Sequence, residues 1–106
     1  EDTQFTIYNK DQYYDWHVDQ DLDPYQQGVY KGLTRKISLS VSLNDESKYE
    51  AGDFKFGYNY KETTCKELKQ KGTVVVFPSF IHHKVEPVKK GVRYSMVKWF
   101  LGKSFK

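Results

Sequence analysis

The chain of 106 residues has one cysteine, three prolines and no long apolar run. A lone Cys65 rules out an internal disulfide and a cysteine-built zinc cluster, and it fits a reducing, cytoplasmic setting. No segment approaches the ~18 apolar residues of a membrane span, so no membrane partner is expected. The opening Glu1-Asp2-Thr3-Gln4 has neither the basic start nor the apolar core of a secretory signal. Charge of one sign is also scarce. The net charge is +3, and pairs such as Arg35-Lys36 and Lys89-Lys90 are scattered rather than massed. That pattern reads as a solvated surface and does not require a nucleic-acid partner. Internal repeats, low-complexity tracts and linkers are absent. The length gives one domain with one core, consistent with a monomer.

Aromatic residues, at 17%, are plentiful, and they lie in segments that read as strands. Ile37, Leu39, Val41 and Leu43 alternate with Ser38, Ser40 and Ser42, a period of two that predicts a strand with one face in the core. Tyr49 to Tyr58 predicts another, with close approaches at Gly52 and Gly57. Thr73 to Phe77 is a continuous apolar run suited to a strand buried on both faces, closed by Pro78. Arg93 to Leu101 predicts a final strand before Gly102. Only Glu62 to Lys71 has helical propensity, and a short strand plus turn competes there. Residues 20 to 32 form the longest irregular stretch, the kind of loop that carries function or moves. Closely spaced strands without βαβ alternation predict an all-β sandwich or barrel.

His17 and Asp19 stand two apart, and on a strand they project from the same face. An imidazole and a carboxylate suit a divalent transition metal such as iron(II). Taken alone the pair is weak: with eight Asp and three His, such a spacing arises by chance in about a fifth of comparable chains. A third ligand has to come from His82 or His83, which point to opposite sides of an extended segment. Arg93 sits in an apolar aromatic stretch, where an inward guanidinium needs an anionic partner and matches a carboxylate with two parallel bonds. Ser95 shares its face, and Tyr8 and Tyr14 are near enough in sequence to reach the same ligand.

The order of these residues resembles the 2-oxoglutarate- and iron(II)-dependent dioxygenases, in their prolyl 4-hydroxylase-like branch. The matching pieces are Tyr8, Tyr14 and His17-Val18-Asp19, the strand from Leu33 to Asp45, and Tyr49-Glu50-Ala51-Gly52-Asp53-Phe54 with Ala51 in place of a glycine. Lys71 to Ser79 follows, then His83-Lys84-Val85-Glu86-Pro87-Val88, Gly91-Val92-Arg93-Tyr94-Ser95 and Trp99. That resemblance sets the register on His83 and leaves His82 outside. It implies a double-stranded β-helix, a cupin-like jelly roll with little helix. It also implies a single catalytic domain over residues 1–106 that lacks most of the usual N-terminal helices. The implied metal ligands are His17, Asp19 and His83, with no catalytic residue beyond them. Arg93, Tyr8, Ser95 and Tyr14 would hold 2-oxoglutarate. Trp16, Tyr25, Tyr30 and Phe80 would line a substrate groove, with residues 20–32 as a lid. The implied reaction uses O2, releases succinate and CO2, draws on ascorbate as reductant, and hydroxylates a peptide or protein substrate at proline. A nucleic-acid or small-molecule oxygenase and a non-catalytic jelly-roll binding module are the alternatives.

Overall fold

A computed structural model describes residues 1–104. Ten strands carry the fold: β1 (Gln4–Tyr8), β2 (Tyr14–His17), β3 (Thr34–Ser42), β4 (Tyr49–Ala51), β5 (Phe54–Tyr58), β6 (Lys61–Thr64), β7 (Val74–Pro78), β8 (His82–Val85), β9 (Val88–Gly91) and β10 (Arg93–Gly102). They form a major sheet in the order β1-β10-β3-β7, a minor sheet β2-β8-β5-β6, and the small pair β4-β9, every pairing antiparallel. This is the expected all-β jelly roll, two facing sheets with, among the described residues, only 3₁₀ turns at Glu46–Lys48 and Lys66–Lys69 besides. The Glu62–Lys71 segment resolves into the strand-and-turn alternative. No helix among the described residues is long and apolar enough to cross a membrane.

The space between the sheets is divided. Tyr8, Tyr49, Phe54, Leu68, Phe77, Val85 and Val88 form a buried apolar cluster, with Phe56 edge-on to both Phe54 (5.2 Å) and Phe77 (5.1 Å). Such edge-to-face contacts are preferred by the ring quadrupole. Beside this cluster the inner face of the major sheet turns polar. Ser38, Ser40 and Ser42 of β3 point inward and are buried, as are Arg93 and Ser95 of β10. The alternation in β3 is therefore real, but the serine side is the enclosed one. Leu39 and Val41 face outward, in cross-strand rows such as Phe5–Met96–Val41–Val74.

The run through Val74–Val76 departs from expectation in the same way. It is an edge strand, with Phe77 buried inward while Val74 (49%) and Val76 (59%) are exposed on the outer face. A strand is buried on both faces only when layers cover both sides, and among the described residues nothing covers this one. The Tyr49–Tyr58 segment breaks in two, because Ala51 and Gly52 both adopt left-handed backbone (φ +60° and +64°). At Gly52 a side chain would meet Val88 Cγ2 at 2.9 Å and Arg93 Cδ at 3.4 Å, so the missing Cβ makes room for the arginine stem.

Candidate metal centre and carboxylate pocket

β2 and β8 pair antiparallel with His17 opposite His83, bringing the two imidazole centres to 4.1 Å. His82, its neighbour on β8, points to the other side and is exposed. β2 ends at His17, so strand alternation does not place Asp19. Instead its backbone N–H, and that of Gln20, donate to the carbonyl of Ser79 (2.9 and 3.0 Å), folding the segment back under the histidines. Asp19 Oδ1 then lies 3.4 Å from His17 Nε2 and 3.2 Å from His83 Nε2.

The tautomers follow from the other ring nitrogens. His17 Nδ1 lies 2.7 Å from the carbonyl of Asp15 and His83 Nδ1 lies 2.9 Å from that of Ile81. A carbonyl only accepts, so each Nδ1 carries a proton, and Nε2 is the nitrogen that offers a lone pair in the neutral ring. Two imidazole nitrogens and a carboxylate oxygen thus converge within 4.8 Å, a donor set suited to a divalent cation. Nδ1–H bonded to a backbone carbonyl is the usual device for fixing a metal-binding imidazole. The His83 ring is further held by Phe54, stacked at 5.6 Å, and by Phe77, edge-on at 4.7 Å. Burial opposes ionisation of Asp19. Hydrogen bonds from His17 and His83, when those imidazoles are protonated, and from Ser38 outweigh it and hold the carboxyl well below its ordinary range.

These groups open onto a cavity of about 360 Å³ between the sheets. Arg93 lines it from β10, is 2% exposed, and has no carboxylate partner among the described residues. Its guanidinium lies 5.5 Å from the centre of the Tyr8 ring, whose phenol is pushed up by burial. Ser95, two residues along, hydrogen-bonds with Thr6 across β1 (3.0 Å). Tyr14 lines the same cavity and stacks on His17 at 3.8 Å. Every residue expected at the metal or its cosubstrate therefore borders one space. A buried, unpaired guanidinium facing that space is a ready site for a ligand carboxylate.

Trp16, Tyr25, Tyr30 and Phe80 are not among the cavity-lining residues. Trp16 packs over Gly57 on the outer face of the minor sheet, beside His82. Tyr25 meets Tyr30 ring to ring (6.0 Å) in the irregular segment and donates to Glu1 (3.0 Å). Glu1 in turn accepts both Nε (2.8 Å) and Nη2 (3.2 Å) of Arg35. Arg35 and Trp99, which motif reading gave no role, both line the cavity, and the guanidinium lies 3.7 Å over the indole. Strict alternation from the inward serines would set Arg35 on the outer face with Ile37 and Leu39; the strand register shifts between Phe100 and Leu101, opposite Arg35, and Arg35 lines the cavity.

The model of the 2OG-Fe(II) oxygenase superfamily matches residues 3–101. Among curated relatives, a PKHD-type hydroxylase of Psychrobacter sp. (strain PRwf-1) is 34% identical over 96 residues, covering 90% of this chain and 36% of the relative. One from Synechococcus sp. (strain CC9605) is 36% identical over 87 residues, covering 81% and 35%. The chain thus spans little more than a third of these relatives' length. A prolyl-4-hydroxylase from Pseudomonas putida shares the fold with a TM-score of 0.70 at 24% identity, over 92% of this chain and 50% of that one. The viral collagen prolyl hydroxylase of Paramecium Bursaria Chlorella virus-1, solved with 2OG, superposes with a TM-score of 0.67 at 23% identity, over 99% and 60%. The two imidazoles and the carboxylate that converge here accordingly lie in a chain that belongs to the 2OG-Fe(II) oxygenase superfamily.

Proposed function

We propose that the protein is an iron(II)- and 2-oxoglutarate-dependent dioxygenase that hydroxylates a prolyl residue in a peptide or protein. The observation that carries this reading is the convergence of three potential ligand atoms within 4.8 Å of one another, in the same cavity as a buried guanidinium that has no carboxylate partner among the described residues. His17 Nε2, Asp19 Oδ1 and His83 Nε2 would occupy one face of iron(II), leaving the other positions for cosubstrate and O2. Bound there, the iron supplies oxygen activation coupled to decarboxylation of 2-oxoglutarate, with succinate and CO2 released and ascorbate serving as reductant.

The chain's own residues do the rest. Arg93 takes the far carboxylate of 2-oxoglutarate as a two-pronged donor, and the Tyr8 ring holds its guanidinium in place. Ser95 lies beside Arg93 on the same face and offers a hydroxyl to the same carboxylate. Tyr14, half-exposed beside His17, lines the cavity and offers ring surface to a pyrrolidine ring. Phe54 of the minor sheet and Phe77 of the major sheet keep water from one side of His83. The proline assignment draws on the PKHD-type and prolyl-hydroxylase relatives, since cavity shape alone does not choose a substrate.

The test is incubation with iron(II), 2-oxoglutarate, ascorbate, O2 and a proline-containing peptide library. The expected result is stoichiometric succinate with one oxygen added at proline. Succinate with oxygen added only to a nucleic acid or small molecule would replace the substrate class. Iron binding without any succinate would favour a non-catalytic module.

A further inference from the structure

Asp19 has two carboxylate oxygens, and only Oδ1 faces the histidines. Oδ2 accepts the indole N–H of Trp99 (3.0 Å) and the hydroxyl of Ser38 (2.5 Å). Ser38 and Ser79 are hydrogen-bonded at 2.8 Å. A hydroxyl has one proton, and Ser38 spends its own on Asp19, so Ser79 must donate to Ser38. The result is a directed chain, Ser79 to Ser38 to Asp19, closed from the other side by Trp99. Both serines are wholly enclosed, and Asp19 and Trp99 are 8% exposed. Ser79 also accepts the backbone N–H of Asp19, so one residue holds both the main chain and, through Ser38, the side chain.

We infer that Ser38 and Trp99 are positioning residues that lock Asp19 into one-oxygen coordination of the metal, keeping open the position its second oxygen would otherwise take. Turning the carboxylate to offer both oxygens would strand a buried indole N–H and a buried hydroxyl without acceptors. A facial set of three ligands leaves three corners of an octahedron free, two for a chelating 2-oxo acid and one for O2. A two-oxygen aspartate would fill one of them. The inverted face of β3 then acquires a purpose, because small hydroxyls stand where an ordinary core strand would put apolar side chains. The same indole supports the Arg35 guanidinium, so the wall of the cavity and the metal's carboxylate share one rigid ring.

This inference rests on the metal reading above, and manganese(II) separates the two. Wild-type protein, Ser38→Ala, Ser38→Thr and the Ser38→Ala/Trp99→Phe double variant are loaded with manganese(II). Bound waters are counted from line broadening in ¹⁷O-enriched water, and 2-oxoglutarate affinity is measured by calorimetry. Wild type and Ser38→Thr should both keep three waters. The double variant should keep two and bind 2-oxoglutarate at least about tenfold more weakly, within the range typical of lost outer-sphere partners, and Ser38→Ala should fall between. Three waters and unchanged affinity in every variant overturn the inference while leaving the metal site intact. Failure of wild type to bind manganese(II) at all overturns the metal reading itself. If the double variant does not fold, Ser38→Ala against Ser38→Thr decides. Loss in the alanine and rescue by threonine support the lock, and equal behaviour of the two refutes it.

Discussion

Replacing Arg93 by Met separates cosubstrate binding from folding. Arg93 is almost fully enclosed, and no carboxylate neutralises it among the described residues. A buried charge without a partner destabilises the empty protein, so an apolar side chain of similar length removes a liability. Met is flexible enough to fill the stem's volume beside Gly52 and Tyr8. The metal-loaded, cosubstrate-free variant should therefore unfold within about 1 kcal/mol of wild type, or later. Binding of 2-oxoglutarate should collapse, because a desolvated two-pronged charge pair has lost one partner, a change costing roughly 3–5 kcal/mol. At about 1.4 kcal/mol per tenfold, that is a Kd weaker by roughly 10²-fold to several thousand-fold. Calorimetry of 2-oxoglutarate into manganese-loaded protein, beside urea unfolding, reads both quantities. A Kd within threefold of wild type would remove Arg93 from the site, and severe destabilisation without cosubstrate would show that its role is structural.

Other outcomes follow from the same geometry. His83→Ala should bind metal far more weakly than wild type, whereas His82→Ala, on the outer face, should bind one metal as wild type does in a calorimetric titration. Ala51→Gly should stabilise by about 0.5–1 kcal/mol in urea, since Ala51 holds φ +60° at a cost that glycine avoids; a destabilised variant would refute the strain. Phe54→Ala should cost about 3–5 kcal/mol through the cavity it leaves, and Val76→Thr, mostly exposed, within about 0.5 kcal/mol. In metal-free protein the Asp19 carboxyl ionises at lower pH folded than unfolded. Its contribution to stability is therefore present above the ordinary carboxylate range near ~4 and lost as pH falls towards the lower folded value. Asp19→Asn should flatten the acid limb of a stability–pH curve below about pH 4.

The site was more legible in the sequence than the layers that hold it. His17, Asp19, His83 and Arg93 were readable because a facial ligand set and a carboxylate clamp demand particular side chains in a particular order. The reasoning that put His17 and Asp19 on one strand does not hold, since the strand stops at His17 and the Ser79 carbonyl places Asp19. No spacing rule reveals such a long-range backbone bond. The β3 alternation predicted the strand but left open which face is enclosed, because period two is blind to inside and outside. Hydrophobicity misleads at this strand, where the enclosed side carries serines beside a polar cavity. Val74 to Val76 illustrates the companion problem: an apolar run specifies contact with something, not how many layers cover it. Trp99 entered the motif reading without a role and Arg35 only within a strand segment, because Trp99 meets Arg35 and Asp19 only across strands.

The central claim is best tested by X-ray absorption of the iron(II)-loaded protein with 2-oxoglutarate, beside a metal titration. One iron per chain with two imidazoles in its coordination shell, reduced to one in His17→Ala, is the predicted result. An iron shell without imidazole, or no stoichiometric iron in the wild-type chain, would contradict it.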